Sequence, residues 1–465
     1  MAAYGSGDVV TGFGRFALAA LYTRVLDPDQ FGVLAVLYVS ISLAAMVIPF
    51  GLPSVLMVRF GEQGAPAMRR NKDEVYTKLV LFALPAGVLT AAAGGVLPGL
   101  HADMAPWAAV WLVAGVLWFV PAQSLRYKHA ATRYSLSRAS HIVVMATVAA
   151  WLYAAGKLTL TGIVAAEALG AGAALLAAHF ADGYLPRPAW PEGSRVLLAL
   201  GLPFCLLELV HFVVDWSDRY VITALMGVAA TGYYAVASRL SIVGAMVVTA
   251  FIAVWQPYFY RLAGSDQVAP RTVGLTARRL LLIVGAAIGA LMLVIPELVV
   301  LEVAGTHIID PAYAGTKVLV APLLLQYFFK AAYFVATPAI NFNGRTWWQV
   351  AIIAAAGLAN VFGNVLVITL WPAGSPYPPL VAVALVTAAC YVFAMIFAFR
   401  ELDRLYPCVR PSYTLVIAAT VLVTVPLLPL SLALRTALFG LGAVAAGGAL
   451  LHGRRNGCTN SETPH

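Results

Sequence analysis

This chain is short of charge. Only 11% of its 465 residues are Asp, Glu, Lys or Arg, against about 25% in a soluble globular chain. With 62% hydrophobic residues and a mean hydropathy of +0.86, a soluble fold is excluded and a polytopic membrane protein is left. Cysteine is scarcer still. Cys205, Cys390, Cys408 and Cys458 lack CxxC spacing, which argues against a disulfide framework and against a thiolate metal site. No Walker A motif, metal-ligand spacing or nucleophile elbow occurs. Neither ATP hydrolysis, a metal, a cofactor nor enzymatic activity is therefore expected. The formal net charge of +9 would suggest nucleic acid in a soluble chain. Here the basic residues gather in short loops, where they set membrane orientation, and no nucleic-acid partner is expected.

What the chain does have is long apolar runs. A helical span needs about 20 such residues. Fourteen are read, near 8–25, 31–58, 76–98, 106–124, 139–156, 160–180, 196–226, 230–258, 278–302, 316–341, 347–370, 379–399, 412–428 and 430–451. Hydrocarbon forces backbone groups to pair within a segment, so all are expected to be helical. The run from Val9 to Val25 lacks a basic leader and an A-x-A site, and reads as a retained span rather than a removed signal. With the N-terminus inside, 21 of the 29 Lys and Arg fall on the cytoplasmic side, four outside and four within spans. That bias predicts a cytoplasmic-membrane protein with both termini cytoplasmic.

A faint repeat lies at an offset of 200 residues. Gly32, Ala35, Val36, Ala45, Met46 and Val47 recur as Gly232, Ala235, Val236, Ala245, Met246 and Val247. Spans one and two would then match spans seven and eight, giving two parallel six-helix lobes about an axis along the membrane normal. The expected organisation is a first lobe at 1–185, a second at 186–405, two further helices at 406–451 and a polar tail at 452–465.

The few charges inside spans carry the functional argument, because each costs about 2.5–3.5 kcal/mol to insert. In the seventh span Glu208, His211, Asp215, Asp218 and Arg219 fall on one helical stripe. Asp215 and Arg219 have the spacing of an i,i+4 ion pair. The stripe reads as a wet face holding an anionic headgroup and a coupling cation, as a structural ion pair bracing two helices, or as a short outer loop after a span ending at Val214. Arg15, Arg239 and Lys330 lie within spans one, eight and ten. Arg15 and Arg239 have a snorkelling alternative, which the depth of Lys330 disfavours. Arginine offers a fork to phosphate oxygens and lysine a point charge, so these cations suit a diphosphate. Glu167 and Glu302 read as local partners. The clusters Trp255, Tyr258, Phe259, Tyr260 and Trp347, Trp348 read as interfacial belts.

Two stretches carry a family resemblance. The first runs from Arg15-Phe16 through Thr23-Arg24-Val25-Leu26-Asp27-Pro28-Asp29-Gln30-Phe31-Gly32. The second includes Ser217-Asp218-Arg219, Gly232-Tyr233-Tyr234 and Ser238-Arg239-Leu240, and ends at Trp255-Gln256-Pro257-Tyr258. Both resemble the Wzx-like polysaccharide-biosynthesis flippases of the multidrug/oligosaccharidyl-lipid/polysaccharide exporter superfamily. The resemblance implies a V-shaped pair of six-helix lobes that flips an undecaprenyl-pyrophosphate-linked oligosaccharide by alternating access. It also implies the supply of O-antigen, capsule or exopolysaccharide synthesis, with a polymerase, glycosyltransferases and membrane lipids as partners. By motif match Arg24, Asp218, Arg219 and Arg239 are family-type positions. Arg15, Asp215 and Lys330 rest on the physical argument alone. Two alternatives within the superfamily are an ion-coupled multidrug exporter and a flippase for the peptidoglycan precursor lipid II.

Overall fold

The computed structural model describes residues 2–53, 55–56, 65–95, 100–189, 194–263, 270–303, 305–371, 377–405, 434–436 and 438–440. The thirteenth and fourteenth spans and the polar tail read from the sequence fall almost wholly outside these residues. The protein is an all-helical polytopic membrane protein, and ten of its described helical segments are long and apolar enough to cross a bilayer. Its outward apolar side chains, such as Leu89 and Phe180 at 70% and 84% exposure, have a partner only in lipid.

The first lobe comprises α1 (Ala2–Thr23), α2 (Pro28–Val47), α3 (Ala65–Ala92), α4 (Ala105–Tyr127), α5 (Ala131–Ala154) and α6 (Leu160–Asp182). The second comprises α7 (Ser194–Met226), α8 (Val228–Leu240), α9 (Ile242–Ala263), α10 (Pro270–Leu298), α11 (Lys317–Phe342), α12 (Thr346–Leu370) and α13 (Tyr377–Leu405). Local chemistry sets the boundaries. The Asp27 carboxylate accepts from Gln30 N at 2.8 Å and Pro28 opens α2, so the helix starts with a side-chain cap and a residue that needs no donor. Gly183 ends α6 in the left-handed conformation at φ 63°, where a Cβ would be penalised.

The eighth span is two helices where one was expected. Its break is at Ser241, whose Oγ lies 2.9 Å from Ala237 O and 3.2 Å from Val320 O. That hydroxyl bonds back to its own helix and across to α11, which bends the backbone. The third helix also begins eleven residues earlier than expected. Lys72, near its start, is buried because Asp182 at the end of α6 meets it at 2.6 Å.

The packing of the first lobe is repeated by the second. α1 packs on α5 as α7 packs on α12, and α2 on α4 as α8 and α9 pack on α11. α3 packs on α4 as α10 on α11, α4 on α6 as α11 on α13, and α5 on α6 as α12 on α13. Even the polar clamps correspond. Asp182 at the end of α6 holds Lys128, which follows α4, at 2.5 Å. Glu401 near the end of α13 holds Arg345, which follows α11. Each acid is buried and joins the ends of non-neighbouring helices.

The lobes meet through α2 and α8 at the two glycines of the sequence repeat. A Cβ on Gly32 would stand 2.0 Å from Val228 O, and one on Gly232 would stand 1.9 Å from Pro28 O. The contact is reciprocal, as a two-fold relation requires. A second close approach joins the far end of α2 to the start of α7. There a Cβ on Gly51 would lie 2.2 Å from Gly201 O, and one on Gly201 would lie 2.2 Å from Phe50 O. Nineteen residues of chain, about 28 Å if helical throughout, separate Gly32 from Gly51.

Candidate functional site

Between these two lobe contacts lies a cavity of about 260 Å³, walled by α1, α2, α7, α8, α9 and α11. It brings together Arg15, Asp215, Asp218, Arg219, Arg239 and Lys330, six of the nine residues singled out from the sequence. Four cations against two carboxylates give its lining an excess of two positive charges, with buried Glu167 acting on Arg15 and Arg239 from outside the lining.

The ion pairs differ from the spacing argument. Asp215 does not pair with the Arg219 guanidinium through its carboxylate. Its Oδ2 meets Lys330 Nζ at 2.6 Å and its Oδ1 accepts from Tyr391 OH at 2.5 Å. Arg219 Nη1 instead donates to Asp218 Oδ1 at 2.7 Å and to the Asp215 carbonyl at 3.0 Å, while Nη2 donates to Ser238 Oγ. Tyr234 OH donates to the second Asp218 oxygen at 2.5 Å. The stripe thus splits into two pairs, one tied to α11 and α13 and the other to α8. Helical spacing marks which groups share a face and says nothing of a better partner on another helix.

Arg15 and Arg239 sit differently. Arg239 is caged by rings, with its Cζ 4.6 Å from the Tyr38 centroid, 5.2 Å from Phe31 and 5.7 Å from Tyr22. Arg15 approaches the same Tyr38 ring at 5.9 Å, and its buried Nε has no hydrogen-bond partner. A guanidinium stacked on an aromatic face is stabilised by the ring quadrupole while its N–H edges stay available to an oxyanion. These two cations, rather than the paired Arg219 and Lys330, hold the cavity's spare positive charge.

The other three expected site residues lie elsewhere. Glu208 is exposed on α7 and does not line the cavity. His211 stacks on Phe334 with ring centroids 5.9 Å apart, also outside the lining. Arg24 is exposed, and its Nη2 donates to His307 O at 2.9 Å. That carbonyl belongs to a hairpin of two short strands, β1 (Glu302–Val303) and β2 (Thr306–His307), between α10 and α11. The loop grips the turn between α1 and α2 further on. Tyr313 OH donates to Leu26 O at 2.7 Å, and Asp310 N donates to Thr23 Oγ1 at 3.4 Å. Arg24 is therefore part of a latch between lobes. Arg24→Ala is expected to leave any binding of an anionic probe to the cavity within about two-fold of wild type, because the group it removes is outside the cavity. Titration of the purified protein with farnesyl diphosphate checks this, and a ten-fold loss would return Arg24 to the binding site.

Two further expectations are settled by packing. Glu167 is a local partner, its Oε2 lying 3.0 Å from His141 Nε2. Trp255 and Phe259 are not belt residues, being 1% and 2% exposed, with Trp255 Nε1 donating to Val335 O at 3.0 Å. Trp347 and Trp348, 61% and 44% exposed, are placed as a belt requires. Tyr38, Tyr234, Ser238 and Tyr391 were missed. Tyr234 and Ser238 flank charged residues of the second motif, but Tyr391 lies 176 residues from Asp215 and gives no local signal. Across α2 from the charged cavity, an apolar groove of about 760 Å³ runs along Val33, Leu37, Ile41, Leu89 and Leu112.

The whole architecture has solved counterparts. The lipid II flippase MurJ, in an inward closed conformation, superposes with a TM-score of 0.69 at 11% identity, over 97% of this chain and 99% of that one. A multidrug resistance MATE family transporter of the MOP superfamily superposes in its inward-facing form with a TM-score of 0.57 at 14% identity, over 86% and 94%. A transporter of that description in the outward-facing form gives 0.58 at 14%, over 87% and 94%. At such identities the likeness shows a shared fold, that of a flippase and of transporters. No curated protein sequence matches the chain. The family model described as polysaccharide biosynthesis protein matches residues 6–263, more than half of the chain, through the first lobe and the α7–α9 segment that carries Asp218, Arg219 and Arg239. This chain belongs to the polysaccharide biosynthesis protein family.

Proposed function

We propose that this protein flips a polyprenyl-diphosphate-linked oligosaccharide across the cytoplasmic membrane for polysaccharide synthesis, with both termini cytoplasmic. The observation that carries the reading is the spare charge of the cavity. Two guanidiniums that form no ion pair with a carboxylate among the described residues match the two negative charges of a diphosphate diester, and Arg is the residue that binds phosphate oxygens in pairs. A cation-exporting pocket would need the opposite balance. The cavity lies between two lobe contacts, which suits a site exposed to one side at a time as the lobes rock. The neighbouring apolar groove offers a polyprenyl chain a protein surface beside the headgroup.

The lipid II flippase reading shares this diphosphate chemistry, and the TM-score of 0.69 favours keeping it as a second reading. Translocation in proteoliposomes separates the two. The wild-type protein is expected to move a fluorescent polyprenyl-diphosphate oligosaccharide across the bilayer. The Arg15→Ala/Arg239→Ala variant is expected to lose at least 90% of that rate, since charged contacts of this kind are worth about 1.5–3 kcal/mol each. Equal rates in the two proteins would remove the cavity from the mechanism. Transport of lipid II to the exclusion of oligosaccharide carriers would select the second reading.

A further inference from the structure

Glu167 lies on α6 with no exposure at all. An ionised carboxylate offers about four acceptor sites, and here few are met. His141 Nε2 on α5 lies 3.0 Å from Oε2, while Oε1 is buried without a hydrogen-bond partner. Gly170, three residues further along α6, allows this meeting. A Cβ there would stand 2.7 Å from both the His141 ring and the His141 carbonyl oxygen, so a side chain would push the two helices apart.

The groups that face Glu167 from the surrounding helices are mostly cationic. α1 supplies Arg15 and Tyr22, and α8 supplies Arg239. α5 supplies His141, with Arg138 three residues before it. α2 contributes Tyr38, the ring shared by Arg15 and Arg239, and its one acid, Asp29, lines the apolar groove instead. α4 has no charged residue before Arg126. Tyr22 OH and Arg15 Nε are, like Glu167 Oε1, buried and without a hydrogen-bond partner. Polar atoms so placed are seldom left unsatisfied, and three of them belong to this one charge cluster.

Glu167 is outside the lining of the cavity between the lobes, yet its charge counts there. The lining's excess of two positive charges is undiminished only while Glu167 is neutral. When Glu167 is ionised, Arg15 and Arg239 have an acid behind them and the excess falls to one. A dianion arriving at the same guanidiniums is then repelled by that carboxylate across a medium of low dielectric. A proton on Glu167 removes the repulsion. The route for it is a second cavity, of about 480 Å³, lined by His141 and Arg15 and extending along α4 to Arg126 in its last turn.

We propose that Glu167 is a proton-binding site linked to the anion site. Its carboxylate takes up a proton from solvent through the second cavity when a diphosphate settles on Arg15 and Arg239, and returns it when the diphosphate leaves. His141 stays neutral and donates Nε2–H to Oε2 throughout. The linkage is reciprocal, so proton and diphosphate each favour the binding of the other. The proposal rests on the reading of the cavity as a diphosphate site.

The test titrates the purified full-length protein with farnesyl-diphosphate-linked N-acetylglucosamine, a diester whose charge is constant near neutral pH. Calorimetry in two buffers of different ionisation enthalpy reads the protons exchanged. Wild type is expected to take up at least about half a proton per anion bound, and to lose affinity about three-fold or more from pH 6 to pH 8. Glu167→Gln should end the uptake and flatten the pH dependence. At the higher pH it should bind at least as tightly as wild type, because the repelling charge is gone. Glu167→Asp keeps an acid and should keep the uptake, which separates loss of the proton site from loss of packing. His141→Gln keeps a donor to Oε2 and should keep the uptake too. Binding with a buffer-independent enthalpy, uptake that survives Glu167→Gln, or uptake lost with His141 would overturn the proposal. Uptake lost in Asp215→Asn but kept in Glu167→Gln would move the proton to the Lys330 pair and overturn it as well. Binding without uptake condemns the linkage alone, whereas no binding by wild type at any pH counts against the diphosphate reading and takes the linkage with it.

Discussion

Lys330→Ala is expected to abolish translocation and to lower the amount of folded protein, and the double variant Asp215→Asn/Lys330→Met is expected to restore only the second. The Lys330 ammonium lies 2.6 Å from Asp215 Oδ2, deep in α11, with side-chain exposures of 18% and 23% for the pair. Removing one partner of a fully buried ion pair costs about 3–5 kcal/mol, because the survivor is left charged and poorly solvated. Both groups touch the cavity, so the loss here should be nearer about 2 kcal/mol. Neutralising both partners with side chains of similar volume is often close to neutral for stability. Tyr391 OH can still donate to the asparagine oxygen that replaces Asp215 Oδ1. The double variant should therefore reach near wild-type abundance in the membrane. The double variant keeps the excess charge of Arg15 and Arg239 but loses the Lys330 ammonium at the cavity wall, and transport that needs this further contact should not recover. Wild-type translocation by the double variant would reduce Lys330 to a structural brace. Unchanged abundance of Lys330→Ala would show that Asp215 is adequately solvated alone.

Much of this site was legible because hydrocarbon makes charge conspicuous. Arg15, Asp215, Arg219, Arg239 and Lys330 stand out in apolar runs, and all five line one cavity. Which charge meets which was not legible. Asp215 and Arg219 are one helical turn apart, yet each finds a better carboxylate or ammonium partner, Asp215 on α11 and Arg219 at its own neighbour Asp218. The same limit hid the start of α3. Arg69, Arg70 and Lys72 read as a loop because the charged run interrupts the apolar pattern; Arg70 pairs with nearby Glu74 at 3.1 Å, but no carboxylate near in sequence meets the Lys72 ammonium. Asp182, which does, is 110 residues away. Trp255 failed for a related reason. An aromatic cluster at a span end is compatible with a belt or with a core, and the carbonyl of Val335 on α11 decides it.

The repeat that was faintest in the sequence makes the sharpest structural demand. Gly32 and Gly232 are the first matched pair of the 200-residue echo, and each faces backbone of the opposite lobe. A methyl group on either would overlap a carbonyl oxygen by more than 1 Å, at 2.0 Å from Val228 O or 1.9 Å from Pro28 O, where carbon–oxygen contacts normally stay above about 3.3 Å. Those carbonyls belong to the first turns of α8 and α2 and cannot move as a side chain would. Gly32→Val/Gly232→Val is thus expected to prevent closure of the lobes at this end without disturbing the packing within either lobe. Translocation should fall at least ten-fold while protein abundance is kept. The latch should loosen with it. In a chain lacking native cysteines, cross-linking between Thr23→Cys and Asp310→Cys, whose backbone–hydroxyl contact is 3.4 Å, should drop several-fold. Gly172→Ala, which places its Cβ in open space within α6, serves as the control and should change neither measurement. If the double valine variant cross-links and translocates as wild type does, the approach of α2 to α8 is not a gate, and the proposed alternating access would have to work through the contact at Gly51 and Gly201.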